Sequence, residues 1–157
     1  MSAIPLLPYR LFFLVIEPIS ALVGAYYAAG RPAEYLSLLS STSLQQIPTT
    51  PPTPTLISLY QLSNLYLLFA LNECLVLSST SSLKTWRRLL LCLLIADFGH
   101  LATMWPLTLE KGVAAVYLNF WAWNAMEWGS IGFVYVGALM RISFLLGLGL
   151  SQRTKTQ

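Results

Sequence analysis

The chain has 157 residues, of which 56% are hydrophobic and only 10% are charged, with a formal net charge of +3 at pH 7. Soluble domains carry about 25% charged residues, so this composition argues against a soluble protein and predicts one integral membrane domain spanning residues 1–157. The positive charges are scattered and form no basic patch interleaved with aromatic residues, which argues against a nucleic-acid partner.

The first predicted membrane span covers residues 11–29 and is interrupted by Glu17 and Pro18. Its length matches the roughly 20 residues that cross a bilayer. The Glu-Pro pair argues against a signal peptide, whose apolar region is uninterrupted. We expect Pro18 to kink the helix, because proline removes a backbone donor.

A proline-rich segment follows the first span. We expect a short amphipathic stretch around Glu34–Leu39 and then an extended spacer at residues 47–55, which include four prolines.

The second predicted span covers residues 56–77. Gln61, Asn64, Leu68 and Asn72 follow the three- and four-residue spacing of one helix face. Glu73 lies about 100° round the helix from Asn72, at the edge of that face. A polar turn is expected at residues 78–82.

The third predicted span covers residues 86–105 and has a tryptophan at each end, as interfacial anchors do. Asp97 and His100 are three residues apart, so their side chains share one face and lie within reach of each other. A carboxylate beside an imidazole fixes its tautomer and raises its basicity, which is half of a general acid–base apparatus.

The last apolar run, residues 113–150, would be about 57 Å long as a single helix, which is too long for one span. We therefore place the fourth span at residues 124–146. Residues 113–123 are expected to lie partly at the membrane interface or to form the start of the helix. Asn124, Glu127 and Trp128 fall on one face at the start of this span. Arg141 is expected to extend its head group to the far membrane surface.

Four spans place both termini on the same side of the membrane, together with the loop between the second and third spans. That side carries seven of the nine cationic residues: Arg10, Lys84, Arg87, Arg88, Arg141, Arg153 and Lys155. The other side carries Arg31 and Lys111. The positive-inside rule therefore predicts an all-α, four-helix membrane bundle with cytosolic termini. The endoplasmic reticulum is the default location for such a multi-pass protein.

Four of the six acidic residues lie within predicted spans, where a carboxylate costs roughly 2.5–3.5 kcal/mol to insert. We expect them to converge, with the single histidine, in one internal pocket. Clustered carboxylates without a cation cannot all ionise, so the group should divide into acids and bases. Arg10 and Arg88 are expected to neutralise one of them from the cytosolic rim. The candidate catalytic residues are Glu17, Glu73, Asp97, His100 and Glu127, and the candidate substrate-binding residues are Asn64, Asn72, Asn124 and Trp128.

Several kinds of site are not indicated by the sequence. One histidine and no regular ligand spacing argue against a metal, and Cys74 and Cys92 form no metal-type or disulfide pattern. A glycine-rich phosphate loop and a serine nucleophile motif are missing. We therefore expect no cofactor.

Four blocks of the sequence resemble a family of small fungal integral membrane proteins of largely unknown function: RLFFLVIEPISALVGAYYA, LSNLYLLFALNE, ADFGHL and WNAMEWGSIGFVYVGALMR. Some members are encoded beside polyketide or terpenoid pathways, where similar proteins are thought to open epoxides. The four-span plan is also architecturally similar to the EXPERA group of sterol isomerases and sigma-2-type sterol-binding proteins. The sterol isomerase pattern pairs a histidine and a glutamate on one span, whereas His100 here lies on the span after Glu73.

The resemblance implies a cofactor-independent enzyme that opens an epoxide of a lipophilic polyketide or terpenoid, by hydrolysis or cyclisation. In this hypothesis Glu127 or Glu73 donates a proton, Asp97 with His100 activates the nucleophile, and Asn64 and Asn124 orient the substrate. An EXPERA-like sterol or lipid isomerase, a non-catalytic lipid binder and a structural protein held together by its polar residues are the alternatives. The partners expected are a lipophilic small molecule and the bilayer, and the sequence also permits a homodimer.

Overall fold

The computed structural model describes residues 7–39 and 50–150, and within these ranges the chain is helical and contains no strand. In chain order the helices are α1 (Leu7–Gly30), α2 (Pro32–Leu39), α3 (Thr53–Leu77), α4 (Leu83–Thr103), α5 (Trp105–Lys111), α6 (Val113–Tyr117) and α7 (Ala125–Leu145). Among the described residues, four helical runs are long and apolar enough to cross a membrane: α1, α3, α4 continued by α5, and α7. The predicted all-helical class is confirmed for the described residues.

The proline-rich segment is only partly as expected. Helix α2 occupies the predicted amphipathic stretch, and Pro52 has the extended backbone angles φ −56° and ψ 146°. The prediction of an extended spacer is wrong for residues 53–55, because α3 begins at Thr53 with Pro54 in its first turn. Proline is tolerated there, since a first-turn N–H has no partner within the helix. Residues 47–49 of the predicted spacer lie outside the described ranges.

The membrane-length helices pack in two pairs, α1 with α3 and α4 with α7. In the first pair the Ser63 hydroxyl donates a hydrogen bond to the Ala25 carbonyl at 2.9 Å. The Tyr66 ring lies so close to Gly24 that a β-carbon there would be 3.3 Å from it. Small residues thus let the two backbones approach each other, as is usual between membrane helices.

A buried apolar cluster joins all four long helices near one end. It contains Phe13 of α1, Leu77 of α3, Leu90 and Leu93 of α4, and Phe144 of α7, with the fully buried Trp86 beside them. The turn between α3 and α4 lies at this end, and the Ser82 hydroxyl caps α4 by accepting a hydrogen bond from the Thr85 amide at 3.3 Å. The cluster fixes the relative heights of the four helices.

The segment between the third and fourth membrane-length runs is not a continuous helix. The short helix α6 is followed by irregular backbone as far as Asn124, which is the N-cap of α7. This segment is rich in aromatic side chains, and Trp121 is 87% exposed.

Candidate functional site

Three carboxylates from three different helices meet one guanidinium from the fourth. Arg141 Nη1 lies 2.6 Å from Asp97 Oδ2, and Arg141 Nη2 lies 2.6 Å from Glu17 Oε1 and 3.4 Å from Glu73 Oε1. All four side chains are buried, and those of Arg141 and Glu73 are completely so. We call Glu17, Glu73, Asp97 and Arg141 the charged core.

The charged core lies one helical turn inward from the apolar cluster. Glu17 follows Phe13 by four residues, Glu73 precedes Leu77 by four, and Asp97 follows Leu93 by four. Arg141 precedes Phe144 by three. Because neighbouring helices in the bundle alternate in direction, these offsets bring all four charged groups to one level. Packing of the apolar cluster therefore positions the ions.

The structure corrects the expectation that Arg141 reaches the membrane surface. Long side chains on a helix lean back towards its N-terminus, and the Arg141 side chain accordingly runs over Gly137, one turn earlier. A β-carbon on Gly137 would lie 2.8 Å from Arg141 Nη1 and 3.1 Å from Glu17 Oε1, so glycine leaves the space that the ions need. The Arg141 guanidinium also lies 5.7 Å and 5.5 Å from the ring centres of Phe13 and Phe69.

Arg141 also replaces the cations that we expected to neutralise the acids. Arg10 and Arg88 are both exposed, and among the ion pairs of the described residues neither contacts a member of the charged core. A guanidinium held inside the bundle interacts with carboxylates far more strongly than one at the solvated rim, because less water screens it.

Two π-helical turns place Glu17 and Glu73. Residues Phe12–Ile16 form one, in which the Glu17 amide donates to the Phe12 carbonyl, five residues back. The next residue, Pro18, has no amide hydrogen to offer the Leu14 carbonyl, and the Cys74 thiol approaches that carbonyl at 3.8 Å instead. The second π turn, Asn72–Leu77, carries Glu73 and packs against the first. Such turns re-aim side chains and are frequent at functional sites.

The charged core has more acidic groups than basic ones. With every group ionised, three carboxylates and one guanidinium would carry two net negative charges inside the bundle. Glu17 Oε2, Glu73 Oε2 and Arg141 Nε are buried and meet no hydrogen-bond partner among the described residues. Buried like charges at this distance cannot all remain ionised, so charge balance favours a core that retains protons.

Comparison with known proteins places the chain in a family. The family model of a domain of unknown function, DUF7704, matches residues 1–151. The chain belongs to this family. No curated protein and no solved structure matches it. The charged core is therefore a feature of a DUF7704 protein, and the family description assigns it no activity.

His100 of this DUF7704 chain lies one turn beyond Asp97 but is not paired with it. Asp97 directs its carboxylate to Arg141, and the ion pairs between described residues do not include one between Asp97 and His100. The full positive charge of Arg141 is the stronger partner for the carboxylate. The imidazole interacts with the backbone of Ser130 on α7. Its Nε2 is buried and has no hydrogen-bond partner in the part of the chain that the structure describes.

Glu127 lies apart from the charged core and is bound to other groups. Its Oε1 accepts a hydrogen bond from Lys111 Nζ at 2.8 Å, and its Oε2 accepts one from the Asn124 amide at 2.9 Å. Asn124 Oδ1 in turn accepts one from the Glu127 amide, which completes a capping box, and Asn124 Nδ2 donates to the Leu38 carbonyl. The expectation that all four acidic residues of the predicted spans share one pocket is therefore wrong for Glu127. Its carboxylate instead caps the N-terminus of α7.

The three remaining candidate binding residues do not contact the charged core through any described hydrogen bond or ion pair. Asn64 is exposed, and Asn72 donates to the Leu68 carbonyl of its own helix at 3.0 Å. Trp128 is half-exposed and lines a cavity of about 330 Å³. We call this cavity the aromatic pocket; its other lining residues are Tyr117, Leu118, Phe120, Trp123, Gly132 and Tyr135.

Sequence analysis did not predict the roles of two residues, Arg141 in the charged core and Lys111 beside Glu127. Arg141 lies close to the end of an apolar run, where surface exposure is the usual outcome, and only its four-residue distance from Gly137 hints that it turns inwards. Lys111 is sixteen residues from Glu127, across an irregular segment, so no periodicity connects them.

Proposed function

We propose that the chain is a multi-pass membrane protein whose charged core performs acid–base catalysis on a lipophilic small molecule. The observation that carries this proposal is the excess of buried carboxylates over guanidinium in the charged core. Ionisable residues inside a membrane are costly, and where they occur they commonly serve function. A purely structural ion pair would need one carboxylate for one guanidinium, not three.

Glu73 is the acid in this proposal. It is fully buried, and its Oε1 lies 3.4 Å from Arg141, whereas Glu17 and Asp97 approach to 2.6 Å. The positive charge of Arg141 stabilises the two closer carboxylates in their ionised form. Glu73 is therefore the group that retains a proton. A carboxylic acid in a dry site is suited to protonating an oxygen atom that water would not protonate.

The reaction that fits is the opening of an epoxide. Glu73 transfers its proton to the epoxide oxygen as the carbon–oxygen bond breaks, and water or a hydroxyl of the same substrate attacks the carbon. The attacking oxygen gives its proton to Asp97 or His100, and return of that proton to Glu73 completes the cycle. The reaction is redox-neutral, so the proposed cycle needs no oxidant or reductant. An epoxide of a polyketide or terpenoid is the substrate class that the sequence resemblance suggests.

The proposal includes a location and an orientation. We place the four membrane-length helices across the membrane of the endoplasmic reticulum with both termini in the cytosol. With Arg141 inside the bundle, the predicted cytosolic side retains six cationic residues, Arg10, Lys84, Arg87, Arg88, Arg153 and Lys155, against Arg31 and Lys111 on the other. The positive-inside rule still favours this orientation.

A second candidate function is supported by the aromatic pocket. Its volume of about 330 Å³ is at the lower end of the range for small-molecule sites. The described residues that line it are aromatic, aliphatic or glycine. Such a pocket suits the apolar part of a sterol or another lipid. A non-catalytic lipid binder of the EXPERA type would use this pocket and need no proton from Glu73.

The experiment compares Glu73→Gln with a matched control, Glu34→Gln, in microsomes. Glu34 forms an exposed ion pair with Arg31, so its replacement removes a carboxylate without touching the charged core. The probe is epoxyfarnesol in ¹⁸O-labelled water, analysed by mass spectrometry. A labelled diol indicates hydrolysis, and an unlabelled product of unchanged mass indicates cyclisation. We expect Glu73→Gln to lower turnover by about 10²–10⁴-fold and Glu34→Gln to leave it unchanged.

The retained proton is measured separately by infrared spectroscopy of the protein in lipid. We expect a carboxylic acid carbonyl band at neutral pH that disappears in Glu73→Gln and persists in Glu34→Gln. Equal turnover in Glu73→Gln and the unmodified protein would refute catalysis by Glu73. Saturable lipid binding that is lost on Trp128→Ala, without any product, would instead favour the second candidate.

A further inference from the structure

One face of α3 carries a repeat that the other described residues leave uncovered. Ile57, Gln61, Asn64, Leu68 and Leu71 follow one another at alternating spacings of four and three residues, and all five are exposed. At about 100° per residue they lie within an arc of roughly 80°. This is the a/d pattern of a two-helix seam, sustained over two heptads. We call these five residues the α3 seam.

The opposite face of α3 already has its partner. Leu59, Ser63, Tyr66 and Ala70 lie on the far side of the helix; Ser63 bonds to Ala25 of α1, and Tyr66 packs beside Gly24. Only 11% of the membrane-length window of α3 is buried within the chain, compared with 28–39% for the other three runs. Helix α3 therefore has one free side, and the seam lies on it.

The two amides of the seam distinguish it from an ordinary lipid-facing surface. Gln61 and Asn64 form no side-chain hydrogen bond with any residue in the described ranges, and Asn64 lies near the middle of α3. Hydrocarbon offers no hydrogen-bond partner to an amide, whereas a neighbouring membrane helix does. Apolar residues on either side of the amides complete a surface suited to another helix.

We propose that the α3 seam pairs with the α3 seam of a second copy of this chain. An amide side chain both donates and accepts, so asparagine is complementary to an identical asparagine across a two-fold axis. Two copies inserted by the same route share one orientation, which makes the helices parallel and places each seam residue opposite its own copy. The register is fixed by Asn64 meeting Asn64 and Gln61 meeting Gln61, as single polar residues fix register in coiled coils.

Disulfide cross-linking of the full chain in phosphatidylcholine proteoliposomes tests the proposal. In a background with Cys74→Ala and Cys92→Ala, Leu68→Cys places a thiol on the seam, and Ile95→Cys places one on the exposed face of α4 as the matched control. We expect a covalent dimer on oxidation of Leu68→Cys that persists as the protein is diluted in lipid. Equal cross-linking of the two variants, or none at Leu68→Cys, would overturn the proposal.

The amides are tested by fluorescence energy transfer between labelled copies. Asn64→Leu should weaken the dimer about tenfold, as expected for the loss of one interhelical hydrogen-bonded contact in lipid. Asn64→Gln should largely restore association, because it keeps both donor and acceptor. Ser63→Ala, on the opposite face of α3, should leave association unchanged. Unchanged or tighter association in Asn64→Leu would show that the amide faces lipid and that the seam is not an interface.

Discussion

Replacing Arg141 with glutamine removes the guanidinium that contacts Glu17, Glu73 and Asp97. Glutamine also favours helices and has a polar side chain, but it carries no charge. The two carboxylates at 2.6 Å from Arg141 lose their counter-charge, and the space over Gly137 is partly vacated. The consequence is a buried pair of uncompensated anions, which is among the most destabilising changes that one substitution can make.

The size of the effect can be bounded in two ways. Breaking a buried ion pair by removing one partner costs about 3–5 kcal/mol. The carboxyls can also escape by taking up protons, which at pH 7 costs an ordinary carboxyl about 4 kcal/mol, from three pH units at 1.36 kcal/mol each. For one stranded carboxylate both estimates give about 3–5 kcal/mol, and this is the least that Arg141→Gln should cost, because the substitution strands both Glu17 and Asp97. Because folding of the variant takes up protons, its deficit should shrink as the pH falls towards 5.

The assay is unfolding of the detergent-solubilised protein by sodium dodecyl sulphate, followed by circular dichroism at pH 7 and pH 5. The control is Arg31→Gln, which breaks an exposed pair with Glu34 and should cost at most about 1 kcal/mol. A second variant, Arg141→Met with Glu17→Gln and Asp97→Asn, removes the stranded charges and should recover most of the stability. Equal, small losses in Arg141→Gln and Arg31→Gln, independent of pH, would refute the reasoning.

Three further predictions concern neighbouring features. Gly137→Ala should destabilise the protein by about 1–3 kcal/mol, because its β-carbon would lie 2.8 Å from Arg141 Nη1. The control is Gly129→Ala, where an added β-carbon would meet no described atom within 4 Å. A decrease in melting temperature no larger than that of the control would contradict this prediction. Asn124→Ala should lower the free energy of unfolding by about 1–2 kcal/mol, because it removes the capping box and the hydrogen bond to the Leu38 carbonyl. Asn124→Asp can still cap the helix and should cost less. Equal losses of stability in the two variants would show that the cap is unimportant. Burial on α2 raises the pKa of the Tyr35 phenol above its ordinary value, with Tyr66 adding to the shift, so the unfolded chain loses this proton first and stability should fall as the pH rises beyond about 10. Tyr35→Phe should flatten that alkaline loss in a pH series, and an unaltered slope would contradict the assignment.

Much of the charged core could be predicted from the sequence, because the cost of a carboxylate in hydrocarbon applies to each acid separately. Glu17, Glu73 and Asp97 each stand in an apolar run, and each lies four residues from a large apolar side chain of the buried cluster. Convergence of these three follows from amphipathic packing alone. Their partner could not be found in the same way, since Arg141 near the end of a run is compatible with a head group at the surface or one folded back over Gly137.

Residue spacing also could not predict that Glu127 lies apart from the other three buried acids. The sequence Asn124-x-x-Glu127 fits both an interior pair on one helix face and a capping box at a helix start. Which one forms depends on where the helix begins, and helix boundaries are the least certain part of a sequence-based prediction. Here the helix begins at Ala125, so both side chains serve its first turn.

His100 connects the two regions that support the candidate functions. It lies one turn after Asp97 of the charged core, and its imidazole interacts with the backbone of Ser130, between the pocket-lining residues Trp128 and Gly132. The His100 imidazole, whose Nε2 meets no hydrogen-bond partner within residues 7–39 and 50–150, is therefore situated between the charged core and the aromatic pocket. If a ligand in the pocket reacts, His100→Gln should reduce turnover while leaving binding intact, whereas a simple binder should lose nothing on that change. The His100→Gln variant therefore distinguishes the two candidate functions: catalysis by the charged core on a ligand in the aromatic pocket, and lipid binding in a pocket that lies near the charged core without using it.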